Sequence, residues 1–337
     1  VKDSYYADLG RLTDAAMSYR SAKPLLASLH YDLFTRIEEG FDEVESLARR
    51  ARLNAPALRR VLDALASMGW LRKRGEKYSN TRSGRRLLVA GGPDYAGDNL
   101  KYQEYTWDAW SDLRVVMKTG RPRLGLKDWI ERDFFTADYL KAMGDITRRP
   151  ARELAEALDL RRVSRTLDIG SGAGNFSAAF VERNKALTAV LLDLPAALPV
   201  TRSLLKRHPS RDRFEYRPAD YLNDEFGRDE FDLALISNVA RVENESVNRA
   251  LVAKAYRALK RGGRLVIHDY AIAPSRTSPT FSALLNVHLL VFTGKGAAYT
   301  VAEFRRWMRD AGFRDMQVKP IAIKSPFPSV AVIGRKS

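Results

Sequence analysis

The sequence predicts an α/β protein: an open, doubly wound parallel sheet with a terminal antiparallel hairpin, behind a mostly helical N-terminal domain. Three observations predict it. From Arg165 onward, apolar β-runs at 166–170, 187–194, 214–220, 231–239 and 263–272 alternate with helical segments at 175–183, 196–208, 245–260 and 300–312. Buried runs separated by helices make a parallel sheet covered on both faces. A glycine-rich loop, LDIGSGAGNF at 167–176, joins the first run to the first helix. Two late runs, 316–322 and 330–334, are linked by Ser325-Pro326-Phe327-Pro328, a connection that fits an antiparallel pair at the sheet edge.

A chain of 337 residues has room for two domains. The expected divisions are a first domain over 1–100, a helical linker over 101–160 that contributes to a pocket, and the α/β domain over 161–337. Residues 12–90 carry apolar positions at helical spacing. Within them a helix from Asp42 ends near Arg52, and LNAP makes a tight turn with Pro56 set for the next first turn. The second helix lines up Leu58, Val61, Leu62, Leu65 and Met68, and Trp70-Leu71 with Lys77-Tyr78 around RKRGE make a hairpin. That plan is a winged helix-turn-helix. Further on, YQEYTWDAWSDL and FFTADYLKAMGDITRR read as helices, with TGRP as a turn. Tyr102, Tyr105, Trp107 and Trp110 either pack helices together or line a pocket.

Net charge is +16, which invites a nucleic-acid or anionic-membrane reading. The excess is spread, +6 over residues 1–150 and +10 over 151–337. One stretch stands out: residues 47–77 hold nine cations against only Asp63 and Glu76, and it coincides with the winged helix. The absence of cysteine excludes disulfides, thiolate metal sites and a thiol nucleophile. No histidine and carboxylate set has ligand spacing, so no metal is expected. The apolar stretch 281–292 is too short to span a bilayer and includes Asn286 and His288. VKDSYYADLG has no secretory apolar region, so a cytoplasmic location is expected.

The glycine loop carries the chemistry. Gly170, Gly172 and Gly174 allow a tight turn and close approach of backbone to ligand. NAD, FAD and S-adenosylmethionine proteins all use such loops. Here the spacing is GxGxG, one residue shorter than the dinucleotide form, and Asp168 precedes the first glycine by two. A carboxylate there repels a pyrophosphate but suits a cationic sulfonium and amino group. Asp193 ends the second run, placed to accept from ribose hydroxyls. Asp220 and Tyr221 end the third, where an acceptor and an aromatic plane fit an adenine. Each aspartate alone also reads as a helix cap or solvated loop carboxylate.

On LDIGSGAGNF, LLDLPAAL, ADYL, DLALISNVA, ALKRGGRLVIHDY and KGAAYTVAEFRRWMRDAGF, the sequence resembles the small-molecule S-adenosylmethionine-dependent O-methyltransferases with a winged-helix dimerisation domain. The resemblance covers nearly the whole chain. It implies a Rossmann-like sheet, a homodimer, a small-molecule substrate, and S-adenosylmethionine as cofactor with S-adenosylhomocysteine as product. Implied cofactor contacts are Gly170, Gly172, Asp193, Leu194, Asp220, Tyr221, Ser237 and Asn238, beside Asp168 and Gly174 from the loop itself. Candidate substrate-pocket residues are Tyr105, Trp107, Met143 and His268. In the family the winged helix serves pairing, which weakens the nucleic-acid reading.

One position departs from the family. Relatives carry a general-base histidine after the fourth strand, and SNVARVENESVNR places Arg241 there. Arginine stays protonated and accepts no proton near neutral pH. Three readings follow. The acceptor needs no base (a sulfur, carbon, nitrogen or acidic hydroxyl), with Arg241 holding an anionic group by a two-pronged contact. Alternatively His288, or next His268, acts as base; each also reads as a structural histidine. Or the protein keeps the cofactor and has lost methyl transfer. Arg241 also reads as a surface residue paired with Glu243 or Glu245. A different class, a winged-helix nucleic-acid binder that senses S-adenosylmethionine, predicts exposed Arg59 and Arg60.

Overall fold

The computed structural model describes residues 4–124 and 135–337. Phe134, which opens the second aromatic-rich stretch, lies outside the described residues. The chain divides into two compact units, 1–105 and 106–337, with the boundary inside one helix, Gly97–Ser111.

The N-terminal unit is helical apart from one hairpin. Helices α1 (Ser4–Met17), α2 (Tyr19–His30), α3 (Leu33–Glu38), α4 (Val44–Ala51) and α5 (Ala55–Ser67) precede strands β1 (Leu71–Arg74) and β2 (Lys77–Asn80), then α6 (Arg82–Leu88) and α7 (Gly97–Ser111). The α4–turn–α5–hairpin plan is the one the sequence predicts. Asn54 caps α5, its side chain accepting from Ala57 N at 2.9 Å, and Pro56 sits in the first turn. Leu58, Leu62 and Leu65 are buried against Leu29, Phe34, Leu47 and Tyr78. Both acids of the basic stretch are ion-paired: Asp63 with Lys73 at 2.6 Å, and Glu76 with Arg59. Helix α1 buries none of its residues, and Tyr5, Tyr6 and Leu12 are exposed on it.

The second unit takes up α8 (Leu113–Thr119) and α9 (Phe135–Ala157), then the sheet. Strands are β3 (Arg165–Ile169), β4 (Thr188–Asp193), β5 (Phe214–Pro218), β6 (Phe231–Ser237), β7 (Leu259–Asp269), β8 (Phe313–Ile321) and β9 (Ser329–Lys336). Helices α10 (Asn175–Arg183), α11 (Leu198–Leu205), α12 (Glu245–Ala258), α13 (Thr280–Phe292) and α14 (Val301–Asp310) connect them. The strand order is β5-β4-β3-β6-β7-β9-β8. β3 to β7 are parallel; β9 is antiparallel to β7, and β8 to β9. The hairpin therefore inserts its second strand beside β7 and leaves its first at the edge.

Period-two alternation sorts the strands' side chains between two cores. Leu167, Ile169, Ala234, Ile236, Leu265 and Ile267 face α12 and α14, packing on Leu251, Ala255, Phe304 and Trp307. Leu233, Leu235 and Val266 face the other way, onto Leu154, Phe176 and Phe180 of α9 and α10. Asp168, Ser237 and His268 have the parity of this second set. The chain leaves β3 for β4 and β5 on one side, then returns to β6 and β7 on the other. The crevice at the carboxyl ends of β3 and β6 is the switch point where ligands bind in open α/β sheets.

The glycine loop fills that crevice's floor. Gly174 has φ +78°, and a Cβ there would stand 2.6 Å from Leu205 Cδ1 and 3.1 Å from Leu191 Cδ2. We expect Gly174→Ala to cost about 2 kcal/mol from left-handed strain plus overpacking. Urea unfolding checks this, and an unchanged midpoint would contradict it.

Candidate active site

A cavity of about 170 Å³ opens at the carboxyl ends of β3, β4 and β6. Its wall takes Asp168, Gly170, Ser171 and Gly172 from the loop, Asp193 and Leu194 from the end of β4, and Tyr221 after β5. Ser237, Asn238 and Arg241 come from the end of β6, and Tyr139 and Met143 from α9. The loop is fixed on both sides. Gly172 N donates to Asp193 Oδ2 at 2.8 Å, and Thr201 Oγ1 donates to Gly172 O at 2.7 Å. Leu194 N donates to Asp193 Oδ1 at 2.8 Å, so each carboxylate oxygen takes one backbone proton and keeps lone-pair capacity.

Asp168 is buried and accepts from Ser177 Oγ at 2.7 Å. Burial pushes its carboxyl up to about 7, with the Ser177 bond opposing and Asp193 adding. Ser171 Oγ, on the same wall, is buried and has no hydrogen-bond partner among the described residues. Gly172 has φ +54°, and a Cβ there meets nothing nearer than Leu140 at 3.8 Å, so only its missing side chain keeps that space open. A buried acid, an orphaned hydroxyl and a side-chain-free cradle suit a ligand that is cationic at one end and rich in hydroxyls and acceptors at the other.

Two of the expected loop and strand-end residues turn elsewhere. Gly174 packs against Leu205 and Leu191 and is not on the cavity wall. Asp220 folds into its own turn, accepting from Leu222 N at 2.9 Å and Asn223 Nδ2 at 2.7 Å. Its neighbour Tyr221 does line the cavity and donates its hydroxyl to the buried Glu243 at 3.0 Å.

Arg241 is neither at the surface nor paired with Glu243 or Glu245. Its guanidinium is buried and its Nη1 stands 2.9 Å from Oδ1 of the buried Asp269. Arg241 N donates to Asp269 Oδ2 at 3.1 Å, the guanidinium lies over the Tyr270 ring at 5.1 Å, and Nη1 also donates to Asn238. Glu243 instead pairs with Lys295 at 2.7 Å, and Glu245 with Arg306 at 2.7 Å. Asp269 is 28 residues from Arg241 and at the end of the next strand, a partner that no local spacing reveals. The available signal is a carboxylate at the end of the last parallel strand, in VIHDY.

Neither histidine offers a free basic nitrogen from a polar setting. His268 is buried with Nδ1 at 2.9 Å from Ser237 Oγ and Nε2 at 2.9 Å from Ser329 Oγ, and packs on Phe176. Burial, then the Arg241 charge, push it down to about 3. His288 accepts the Trp110 indole N–H at Nδ1, 3.1 Å away, and stacks between Trp110 and Phe292. Burial, then Arg241, push it down to about 4, so the ring is neutral and carries its proton on Nε2. Among the described residues no histidine stands on the cavity wall. Trp107 is half-buried on α7, while Tyr105 belongs to the N-terminal unit.

Comparison with known proteins agrees with this architecture. Residues 121–314 match the O-methyltransferase domain and residues 13–90 the O-methyltransferase dimerisation domain. The chain belongs to the O-methyltransferase family. It is 26% identical over 333 residues to the tetracenomycin polyketide synthesis 8-O-methyl transferase TcmO of Streptomyces glaucescens, covering 97% of this chain and 96% of that one. It is 24% identical over 322 residues to the N,N-dimethyltransferase OxyT of Streptomyces rimosus, covering 92% of each. The fold matches human N-acetylserotonin methyltransferase in complex with SAM at a TM-score of 0.88 and 20% identity, over 100% of this chain and 99% of that one.

A buried charge that loses its partner is costly, so we expect Asp269→Asn to destabilise the protein by about 3–5 kcal/mol. Adding Arg241→Met removes the stranded charge and should recover much of that loss in denaturant melts. A double variant as unstable as Asp269→Asn alone would mean that the pair is not coupled.

Proposed function

We propose that the protein transfers a methyl group from S-adenosylmethionine to a small-molecule acceptor whose reacting atom needs no proton removed by the enzyme. The acceptor atom is a sulfur, carbon or nitrogen nucleophile, or the oxygen of an acidic hydroxyl that arrives ionised. The observation that carries this reading is the buried pair between Arg241, on the cavity wall, and Asp269, with Arg241 at the position that the sequence resemblance gives to a base.

Asp168 would hold the cofactor's cationic groups, Ser171 Oγ beside the side-chain-free Gly172 its polar end, Asp193 its ribose hydroxyls, and Tyr221 its base. Leu194, Ser237 and Asn238 complete the wall. The cofactor supplies an electrophilic methyl on a sulfonium sulfur. The chain's own part is placement. Tyr139, Met143 and Val239 exclude water from the crevice, and confinement in a near-attack arrangement lowers the barrier without proton transfer. Arg241 spends Nη1 on Asp269 and Asn238 and its backbone N on Asp269; no hydrogen bond from its Nε or Nη2 is made to the described residues. These two groups are free to hold an anionic oxygen of the acceptor.

His288 has its Nδ1 occupied by the Trp110 indole N–H and lies off the cavity wall, which speaks against a role as base. The segment 13–90 pairs two copies of the chain, the arrangement that the dimerisation-domain match supports.

The test is transfer of labelled methyl to a panel of thiol, amine, carbon-acid and phenol acceptors. We expect acidic phenols and non-oxygen acceptors to be methylated, and Arg241→Met to raise the KM of anionic acceptors about tenfold or more. Methylation confined to weakly acidic hydroxyls would sink the reading.

Asp168 adds a pH signature. Its carboxyl is raised to about 7, so below that pH it must release a proton before it can pair with a cation. Affinity for the cofactor should therefore fall about tenfold per pH unit below about 7 and level off above it. Calorimetry between about pH 5.5 and 8 reads this, and Asp168→Asn should flatten the curve.

A further inference from the structure

Helix α12 does not line the cavity, yet it buries two polar side chains, Lys254 and Asn248. Lys254 is 9% exposed and has no carboxylate partner among the described residues. Its Nζ donates to three backbone carbonyls of one loop: Tyr221 O at 3.1 Å, Leu222 O at 3.0 Å and Asp224 O at 2.9 Å. The fully buried Phe226 ring lies beneath it at 5.6 Å. Asn248 Nδ2 donates to Ala240 O at 2.8 Å and Glu243 O at 3.2 Å, the turn that carries Arg241.

The loop after β5 illustrates why this matters. Residues 222–225 of that loop are exposed, but its carbonyls turn inward onto Lys254 Nζ, where each needs a partner. Its N–H groups are satisfied within the loop: Leu222 N donates to Asp220 Oδ1, Asp220 N to Asp224 Oδ2 at 2.7 Å, and Asn223 N and Asp224 N to Asp220 O. Its carbonyls at 221, 222 and 224 point the other way and converge on one ammonium. A lysine is suited to that, because it presents three donors on one atom, as a neutral amide does not. Tyr221 is thus held at both ends, its carbonyl by Lys254 and its hydroxyl by Glu243.

We propose that Lys254 and Asn248 are positioning residues through which α12 sets the two lips of the cavity separately. Lys254 sets the loop carrying Tyr221, and Asn248 sets the turn carrying Arg241. The effect on cofactor affinity rests on the functional reading above; the effect on the loops does not.

The experiment compares Lys254→Met, Lys254→Arg and Asn248→Ala in the full chain, with S-adenosylhomocysteine as calorimetric probe and amide exchange in the ligand-free protein as second readout. We expect Lys254→Met to weaken the probe about tenfold or more, with turnover at saturating cofactor within about threefold. Exchange should speed up over 220–226 and not over 240–243. Lys254→Arg should regain part of the affinity. Asn248→Ala should show the reverse: faster exchange over 240–243 and probe affinity within about twofold. Equal loosening of both segments in either variant, or unchanged exchange over 220–226 in Lys254→Met, would overturn the proposal. If Lys254→Met does not fold, Lys254→Gln reads the same exchange contrast. A wild-type protein that binds no S-adenosylhomocysteine would defeat the functional reading while leaving the exchange test in force.

Discussion

The ion pair between Arg241 and Asp269 is the constraint around which this site is arranged. Both groups are buried, so neither charge is stable alone, and Asp269 holds the backbone of Arg241 as well as its side chain. Asp269 takes Arg241 Nη1, Arg241 N and Tyr270 N, which ties the turn after β6 to the end of β7. Arg241 O accepts in turn from Ala297 N at 2.9 Å, bringing the segment before α14 against the same point. A Cβ on Gly296 would stand 2.3 Å from that carbonyl, so glycine is what permits the approach. Charge at this position also reaches outward, since Arg241 helps to keep both His268 and His288 neutral.

The remaining parts of the cavity follow from strand-end chemistry. Parallel strands bring their carboxyl ends to one edge, and alternation decides which of their polar residues meet α10. Asp168 reaches Ser177 in this way, and His268 reaches Ser237 on the neighbouring strand and Ser329 across the antiparallel pair. The glycine loop divides its work. Gly172 leaves space open at the ligand side, whereas Gly174 leaves space for Leu205 and Leu191 behind it.

Most of the fold was legible because long apolar runs and helical periodicity are local signals. The helix expected over 175–183 is found at Asn175–Arg183, and the one over 300–312 at Val301–Asp310, with Thr300 and Glu303 forming a capping box. β7 begins at Leu259, earlier than its apolar run, because Leu259 pairs with Phe231 before the register shifts and resumes at Arg264. The position of the cavity was legible too, since Asp168, Gly170, Gly172, Asp193 and Tyr221 come together on one wall. Partnerships across the sheet were not. Arg241 was read against its sequence neighbours Glu243 and Glu245, but burial hands it to Asp269, and Lys295 and Arg306 take the glutamates. Asp220 shows the same limit: its place at a strand end was visible, its capture by the turn at 222–223 was not.

In the proposed reading the acceptor brings its own nucleophilicity and the protein contributes alignment and a fixed positive charge. The pH dependence of kcat/KM across a series of phenols of graded acidity tests this most directly. The account predicts a rising limb that shifts from acceptor to acceptor with the ionisation of each phenol, and that persists in His288→Gln. A limb fixed at one pH for every acceptor, and abolished by His288→Gln, would show an enzymic base and contradict it.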